Sequence, residues 1–304
     1  MADSTDSRRK QLQRLDSSID NKLSFTYEDV EMIANHILEK VKCRPKLGII
    51  CGSGLGKLVD LVEDKEVLPY QEIPGFPVST VPGHEGKLVF GQLRGKSVVL
   101  MQGRAHCYEG YTPQKITLPV RTMKMMGITT LFVTNAAGGV NKKYNIGDIM
   151  IIKDHVNLAG FAGVNPLVGV NDEKFGPRFP AMSNAYDLGL RQLALAKAKE
   201  IGFSDFVREG VYSMMVGPNF ETVTECKILS LLLVDATGMS TIPEVLVAKH
   251  CGMRVFGMSL ITNVVISEYD SPAHANHQEV LETGERRSKD LQQLVAAIVA
   301  DLDL

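Results

Sequence analysis

Six short apolar runs recur along the 304-residue chain, and they constrain its fold more than any other feature of the sequence. Each run is continuously apolar instead of alternating between apolar and polar residues, which is typical of strands that are covered on both faces. The runs lie in the region of 48–51 and at 97–101, 129–133, 148–152, 211–216 and 254–261. We therefore predict an α/β fold in which helices pack on a twisted parallel or mixed sheet.

Helical patterns occupy most of the intervals between these runs. The best marked is 240–252, where Thr241 is placed to cap the first turn and Gly252 to close the last one. Thr26 and Asp29 give the first helix a start that resembles a capping box. The other helices are predicted at 26–42, 113–126, 185–201, 221–233 and 277–302.

The polar N-terminal segment and one long loop interrupt this alternation. Residues 1–24 lack the apolar stretch of a secretory signal, so we predict a disordered arm there and a single domain over 25–304. The stretch 155–182 is rich in glycine, proline and asparagine and predicts a long irregular loop. Loops of that length in a folded domain are usually functional or mobile.

Charge and cysteine usage exclude several classes of function. A net charge of −2 and a pI near 6.4 give no general attraction to nucleic acid, and the apolar runs are too short to span a membrane. Five widely spaced cysteines without a C-x-x-C pair favour reduced thiols in the cytoplasm. Zinc is disfavoured because the close pair His274 and His277 has no nearby third ligand.

Small or polar residues follow five of the predicted strands, where an open α/β sheet binds its ligands. These five segments are 51–56, 104–108, 134–139, 217–221 and 262–263. Any one of them is compatible with an ordinary turn. Together they predict one concave site.

The glycine-rich segment "GSGLGK" (52–57) is neither a P-loop nor a dinucleotide-binding fingerprint. It is either a tight strand–helix turn or a cradle for a small anion, made of backbone N–H groups and the Ser53 hydroxyl. Arg104 would complete such a cradle by binding phosphate through two hydrogen bonds, or it forms a surface salt bridge. His84 is predicted in an exposed turn, which favours a surface role.

The other chemically active side chains are also open to two interpretations. His106 is as compatible with a structural role as with ligand binding, while Tyr108 and Glu109 are more typical of packing and solvent contact. Glu221 either favours a helix start through the dipole or accepts hydrogen bonds from a ring rich in N–H groups, lined by Phe220. Asn263 ends an apolar strand, and its amide can serve a base or the backbone.

From about residue 25 to its end, the chain resembles the purine nucleoside phosphorylases of the trimeric, low-molecular-mass class. Eight motifs in order carry the resemblance: IICGSGLG, VPGHEG, MQGRAHCYEGY, VTNAAGG, GPNFET, GMSTIPEV, LITN and ANHQEV. It implies one α/β domain with a barrel-like core, a homotrimer, and a cytoplasmic enzyme of purine salvage. The implied reaction is reversible phosphorolysis of a purine nucleoside to free base and pentose 1-phosphate. Phosphate would be a cosubstrate, without a metal or organic cofactor.

The resemblance also assigns residues to each part of the substrates. Phosphate would be held by Ser53, His84, Arg104, the Ala136 backbone and Ser240. Ribose would meet Tyr108, Met239 and, at its 5′-hydroxyl, His277, with Phe179 arriving from a neighbouring subunit. The base would contact Phe220, Glu221, Asn263, Val265 and Val280. The catalytic groups would be Asn263, Glu221 and His106, the last lying near phosphate and ribose, and Asn135 would shape a turn.

The expected substrate specificity depends on Asn263. Its amide suits the 6-oxo group of inosine and guanosine, whereas the related methylthioadenosine phosphorylases have an aspartate there, which suits a 6-amino group. Three alternatives remain: a methylthioadenosine phosphorylase, a nucleoside hydrolase that uses water, and a non-catalytic purine-binding module. Preference for methylthioadenosine over inosine would indicate the first alternative, and base release without phosphate the second. Purine binding without formation of pentose 1-phosphate would indicate the third.

One segment departs from the family pattern. In 228–240, Leu233 and Val234 stand where glycine and alanine are usual. Helix ends are commonly closed by glycine, so we predict a strained or rerouted turn after the helix.

Overall fold

The predicted apolar runs form strands of one sheet in the computed structural model, which describes residues 25–272 and 276–304. The predicted disordered arm at 1–24 lies outside these residues. The described chain has nine strands: β1 (Leu47–Cys51), β2 (Glu63–Pro69), β3 (Lys87–Leu93), β4 (Lys96–Gln102), β5 (Thr130–Gly139), β6 (Ile149–Val156), β7 (Val207–Met214), β8 (Ala236–Gly238) and β9 (Arg254–Val264).

Its α-helices are α1 (Tyr27–Lys40), α2 (Pro113–Met125), α3 (Leu158–Phe161), α4 (Leu188–Glu200), α5 (Val223–Leu231), α6 (Ile242–His250) and α7 (His277–Ala300). Three short 3₁₀ helices lie at Gly56–Leu61, Tyr70–Glu72 and Cys107–Glu109.

The sheet closes on itself to form a barrel. Its strand order is β2-β3-β4-β1-β5-β8-β7-β6-β9, and β9 also pairs with β5. Strands β5, β8, β7, β6 and β9 therefore form a closed ring, while β1 to β4 extend from it. The ladders are mixed, since β1 pairs in parallel with β4 and β5, whereas β6 pairs antiparallel with β9. This confirms the predicted mixed α/β sheet with a barrel-like core surrounded by helices.

Burial on both faces explains why the strands are continuously apolar. In β1, Ile50 joins an apolar cluster that includes Ile33 of α1, while its neighbour Ile49 joins a second cluster that includes Leu294 of α7. Successive side chains of a strand point to opposite faces, so neither face of β1 is left in water.

Strands β2, β3 and β8 were not predicted from the sequence, and there is a physical reason why each was missed. Strand β2 is an edge strand whose side chains are mostly exposed, and β8 has only three residues. The apolar pattern of β3 is interrupted by Gly91, where a Cβ atom would clash with the Glu63 carbonyl oxygen. Glycine is therefore required there for close approach of β2.

All the predicted helices are present in the structure, and the differences concern their ends and caps. Helix α1 has the predicted capping box of Thr26 and Asp29. The predicted cap of α6 is wrong, because the Thr241 hydroxyl makes no capping hydrogen bond and accepts instead from buried polar side chains. The predicted loop at 155–182 begins later than expected, since β6 continues to Val156 and α3 follows.

The predicted strained turn lies at the end of α5. The N–H of Val234 donates to the Leu229 carbonyl and that of Leu233 to the Ser230 carbonyl, which is the Schellman arrangement. Leu233 occupies the position usually taken by glycine, with a φ of 59°. A residue other than glycine is strained in this left-handed region.

Candidate active site

The ends of five predicted strands surround one cavity of about 290 Å³. The sequence-predicted residues that line it are Ser53, Arg104, His106, Tyr108, Ala136, Phe220, Glu221, Met239, Ser240, Asn263 and Val280. They come from every one of the five predicted segments, from the turn before α6 and from the first turn of α7. The cavity is therefore built by residues far apart in sequence.

The His84 side chain is buried behind Ser53 at 7% exposure, although its neighbours Pro82, Gly83 and Glu85 are exposed as predicted. Its Nδ1 atom accepts a hydrogen bond from the backbone N–H of Arg104 at 2.8 Å. The proton of the neutral ring is therefore on Nε2, 3.0 Å from the Ser53 hydroxyl oxygen. Because Ser53 accepts this hydrogen bond, its own hydroxyl proton is free to point toward a ligand.

Arg104 is buried at 2% exposure, so it is not a surface salt bridge. Its Nε lies 3.2 Å from the carboxylate of Glu244, which is equally buried. One terminal nitrogen donates to Ser240 at 2.6 Å and to Thr241 at 3.1 Å, and the other donates to the Thr134 carbonyl at 2.8 Å. A buried charge needs such partners.

Three of the five N–H groups of the Arg104 guanidinium donate hydrogen bonds to protein oxygens, and one N–H of a terminal nitrogen is left for a ligand. The Nε atom lies close to Glu244 but makes no hydrogen bond within the described chain. The predicted two-bond contact of Arg104 with phosphate stays a prediction.

Ser240 accepts from Arg104, and its hydroxyl also lies 3.2 Å from the Thr241 hydroxyl. Thr241 already accepts from Arg104 and Asn135, so we assign its hydroxyl as the donor to Ser240, which leaves the Ser240 hydrogen for a ligand. The chain thus supplies two hydroxyls and one cationic N–H at this end.

Glu109 holds His106 in place, a role that the sequence interpretation missed. One carboxylate oxygen accepts the His106 backbone N–H at 2.8 Å and lies 3.0 Å from His106 Nδ1. The other oxygen accepts from the Thr80 backbone at 2.6 Å. Burial alone would raise the pKa of Glu109, but the hydrogen bonds from His106 and Thr80 outweigh it and lower the pKa to about 2.

The rings of His106 and Tyr108 stack at one side of the cavity, with centroids 4.6 Å apart and planes 12° from parallel. Burial, followed by the nearby Glu109 charge, raises the pKa of Tyr108 to about 12, so its phenol stays protonated at neutral pH. Met239 reaches the same region, because a Cβ atom at Gly217 would lie 2.5 Å from its sulfur and 3.2 Å from the Tyr108 ring.

Glu221 and Asn263 occupy the other end. Burial raises the pKa of Glu221, and the Thr237 hydroxyl donates to its carboxylate at 3.3 Å. The Thr262 hydroxyl lies 3.2 Å from Asn263 Oδ1 and 3.4 Å from the Ala137 carbonyl oxygen, so its one proton has two acceptors, of which the amide oxygen is the nearer. This contact favours an amide orientation in which the Asn263 NH₂ is available to a ligand. Thr237 and Thr262 both line the cavity, but neither was singled out from the sequence.

Three sequence-predicted residues with described side chains do not line the cavity in the single chain, and the structure does not describe the side chain of a fourth. His84 lies behind Ser53, and Val265 packs beside Gly138, where a Cβ atom would lie 3.1 Å from its Cγ1. Phe179 is 88% exposed on the long irregular segment. His277 begins α7, but its side chain lies outside the described part of the structure.

Several lining residues were not assigned a role in the site from the sequence. Asn135, which was assigned to a turn, lines the cavity and donates to Thr241 at 2.9 Å. Val81 and Pro218 line it from two loops. Asn135 and Pro218 belong to two of the five predicted site segments, and Val81 begins the motif VPGHEG, so these positions were the signal that could have found them.

Within residues 25–272 and 276–304, no group of three His, Cys, Asp or Glu side chains is arranged to hold a metal ion. In the same part of the chain, no helix is long and apolar enough to cross a membrane.

Comparison with known proteins shows the family of the chain. The model of the Phosphorylase superfamily matches residues 46–300, which include both ends of the cavity. The chain is 54% identical over 278 residues to the purine nucleoside phosphorylase of Bos taurus, covering 91% of this chain and 96% of that protein. It is 50% identical over 273 residues to purine nucleoside phosphorylase 1 of Geobacillus stearothermophilus, covering 90% and 97%.

A solved structure is equally similar. The Schistosoma mansoni purine nucleoside phosphorylase in complex with inosine superposes with a TM-score of 0.89 at 48% identity, covering 93% of this chain and 99% of that one. The chain therefore belongs to the purine nucleoside phosphorylase family of the Phosphorylase superfamily, which confirms the resemblance seen in its motifs.

Proposed function

We propose that this protein catalyses the reversible phosphorolysis of 6-oxopurine ribo- and deoxyribonucleosides, giving the free base and the pentose 1-phosphate. The observation that carries the proposal is the single cavity with hydrogen-bond donors for an anion at one end and Glu221 and Asn263 at the other. Solved relatives in complex with inosine, guanosine and ribose 1-phosphate support the same substrate class.

The anion end is suited to phosphate as a nucleophile. Ser53 and Ser240 have free hydroxyl protons, Arg104 has one free N–H, and the Ala136 backbone lines the same wall. Phosphate held there lies beneath the sugar, where its negative charge stabilises the oxocarbenium-like ribose that forms as the glycosidic bond breaks. His84 orients the Ser53 hydroxyl, and His106, fixed by Glu109, borders phosphate and ribose.

The base end is suited to a departing 6-oxopurine. Glu221 in its ionised form accepts the N1–H of the ring and, in guanine, the 2-amino group. The Asn263 NH₂ donates to N7 or O6 as negative charge develops on the base. Fixed donors aimed at developing charge are worth roughly 100- to 1,000-fold in rate, or about 2.7–4 kcal/mol. Phe220, Val265 and Val280 supply apolar surface.

The sugar lies between the two ends. We propose that Tyr108 and Met239 pack against ribose and that His277 binds its 5′-hydroxyl. The exposed Phe179 side chain supports a homotrimer in which it covers the ribose of a neighbouring subunit, because a large aromatic group of 88% exposure has little cover within its own chain. Each site would then be complete only in the oligomer.

No cofactor is needed in this scheme, because phosphate is the cosubstrate and the groups that stabilise charge belong to the chain. We also propose a cytoplasmic location and a role in purine salvage. All five cysteines are free thiols, which suits a reducing compartment.

The deciding experiment is an assay of purified protein with inosine, with and without phosphate. We expect hypoxanthine and ribose 1-phosphate only when phosphate is present. Hypoxanthine release at the same rate in phosphate-free buffer would indicate a hydrolase. Faster turnover of methylthioadenosine than of inosine would indicate the other phosphorylase, and purine binding without turnover would indicate a binding module.

A further inference from the structure

Gly284 lies within helix α7, where glycine is a poor helix former. Its position has a steric cause. A Cβ atom at Gly284 would lie 2.7 Å from both the Cα and the carbonyl oxygen of Gly54. A Cβ atom at Gly54 would in turn lie 3.1 Å from the Gly284 Cα. The two backbones are in direct contact, and neither position has room for a side chain.

Gly54 belongs to the loop that follows β1, so this contact fixes the segment next to Ser53. Two polar contacts hold the same loop from the side. Lys57 pairs with Glu285, and the Gln292 side chain donates to the Lys57 carbonyl at 2.6 Å. The ion pair is solvent-exposed and therefore weak, so the contact of the two glycines is the buried part of the attachment.

The same face of α7 reaches the base end of the cavity. Val280, one turn before Gly284, lines the cavity, and its carbonyl oxygen would lie 3.3 Å from a Cβ atom at Gly54. Thr283 is buried, and its hydroxyl lies 3.5 Å from the carbonyl oxygen of Thr262, whose own hydroxyl bonds Asn263. Residues three and four apart share one face of a helix, so α7 touches both ends of the site.

We propose that Gly284 is a positioning residue and that α7 sets the anion loop against the strand that carries Asn263. The proposal rests on the proposed function, since it concerns the same two ends of the cavity. A purine that contacts Val280 on α7 is thereby coupled to the Ser53 loop through the glycine contact. Purine and phosphate therefore strengthen each other's binding, and the coupling is reciprocal.

The test is the Gly284→Ala variant, with Lys289→Ala as a control at an exposed position of the same helix. We expect the phosphate KM to rise about tenfold or more in Gly284→Ala, while the inosine KM changes less than threefold. General misfolding of the variant would lower kcat without this difference between the phosphate KM and the inosine KM. An unchanged phosphate KM in a folded variant overturns the proposal.

Calorimetry measures the coupling without turnover, because hypoxanthine and phosphate do not react in the absence of the pentose. Phosphate should bind wild-type protein several-fold more tightly when hypoxanthine is present, and Gly284→Ala should lose that gain. Equal phosphate affinity with and without hypoxanthine in the wild type overturns the coupling. If the wild type forms no ribose 1-phosphate, the proposed function fails separately.

Glu285→Gln provides a second variant that adds no volume to the contact. Loss of the ion pair should raise the phosphate KM about two- to threefold and leave the inosine KM unchanged. If Gly284→Ala does not fold, this variant decides: an unchanged phosphate KM in Glu285→Gln overturns the proposal.

Discussion

The Thr262 hydroxyl lies 3.2 Å from Asn263 Oδ1, nearer than its other acceptor, the Ala137 carbonyl oxygen at 3.4 Å, and favours the amide orientation that leaves the NH₂ group for a ligand. The hydroxyl is the donor and the amide oxygen the acceptor, so the NH₂ group is the available donor. An amide free to rotate by half a turn would present either group. The neighbouring threonine thereby favours one polarity of the asparagine toward a purine.

The first prediction concerns this pair. Asn263→Ala should lower kcat for inosine roughly 100- to 1,000-fold, with a smaller effect on substrate binding, because the lost donor acts where charge develops. Thr262→Val should lower kcat about tenfold by releasing the amide. Steady-state kinetics measures both. Ser259→Ala is a matched control, since it removes a buried hydroxyl of the same strand away from the cavity. A near-normal kcat in Asn263→Ala would contradict the assignment of Asn263 as the donor to the departing base.

The second prediction concerns specificity. Asn263→Asp replaces the NH₂ donor with an acceptor, which suits the 6-amino group of adenosine and opposes the 6-oxo group of inosine. We expect the ratio of kcat/KM for adenosine to that for inosine to rise about tenfold or more, since unpaired polar groups discriminate strongly. Competition between the two nucleosides measures the ratio directly. An unchanged preference in an active variant counts against the specificity argument.

The third prediction is a pH dependence at Glu221. Burial raises its pKa above the ordinary glutamate value of about 4.3. Because base binding needs the carboxylate, the kcat/KM for inosine should fall on the acid side at a pH above that value. Glu221→Gln should remove this acid limb and lower kcat/KM about tenfold or more, since hydrogen bonds to a charged acceptor are the stronger ones. A profile of kcat/KM against pH checks this, and an identical acid limb in the variant would contradict it.

The same group makes a stability prediction. A raised pKa means that the folded chain binds the Glu221 proton more tightly than the unfolded chain does. The resulting stabilisation is present at acid pH and is lost as the pH rises through the raised pKa. Glu221→Gln does not titrate, so its free energy of unfolding relative to wild type should increase from acid to neutral pH. Urea titrations at several pH values measure this difference, and a constant difference refutes it.

The fourth prediction concerns the strained turn after α5. Leu233→Gly should raise the free energy of unfolding by about 1 kcal/mol, because glycine adopts a positive φ without strain. Leu232→Gly is the matched control: this residue has a φ of −81°, and its replacement should destabilise the protein. Activity should not change in either variant. A Leu233→Gly protein less stable than wild type would show that the leucine makes compensating contacts.

The fifth prediction concerns the oligomer. Phe179→Ala should raise the inosine KM about tenfold and leave the phosphate KM nearly unchanged, because its partner in the neighbouring site is the sugar and not the anion. Val170→Ala, fully exposed on the same irregular segment, is the control. Light scattering would show whether the variant keeps the mass of a trimer. Wild-type kinetics in Phe179→Ala would remove this residue from the site.

Sequence patterns predicted six of the nine described strands, because strands such as β1 are buried on both faces. They failed where burial does not depend on local composition. Strand β2 is polar because it is an edge. His84 lies among exposed residues and looks like a surface histidine, but its side chain is buried. Glu109 and Tyr111 hold the preceding loop at Thr80 and Val78, and no local pattern shows these contacts.

The site could be predicted as a set of segments but not as a set of hydrogen bonds. The position of Arg104 after β4 placed it near the anion end. Its partner Glu244 lies 140 residues later, and no local pattern connects the two. Thr241 was predicted as a helix cap because its sequence context is that of a cap. In the structure the Thr241 hydroxyl instead accepts hydrogen bonds from the buried side chains of Arg104 and Asn135.

A crystal structure with hypoxanthine and sulfate bound together tests the central claim most directly. We predict one cavity holding both, with sulfate within hydrogen-bond distance of Ser53 and Arg104 and with hypoxanthine contacting Glu221 and Asn263. Sulfate and hypoxanthine at separate places, or hypoxanthine that touches neither Glu221 nor Asn263, would contradict the account.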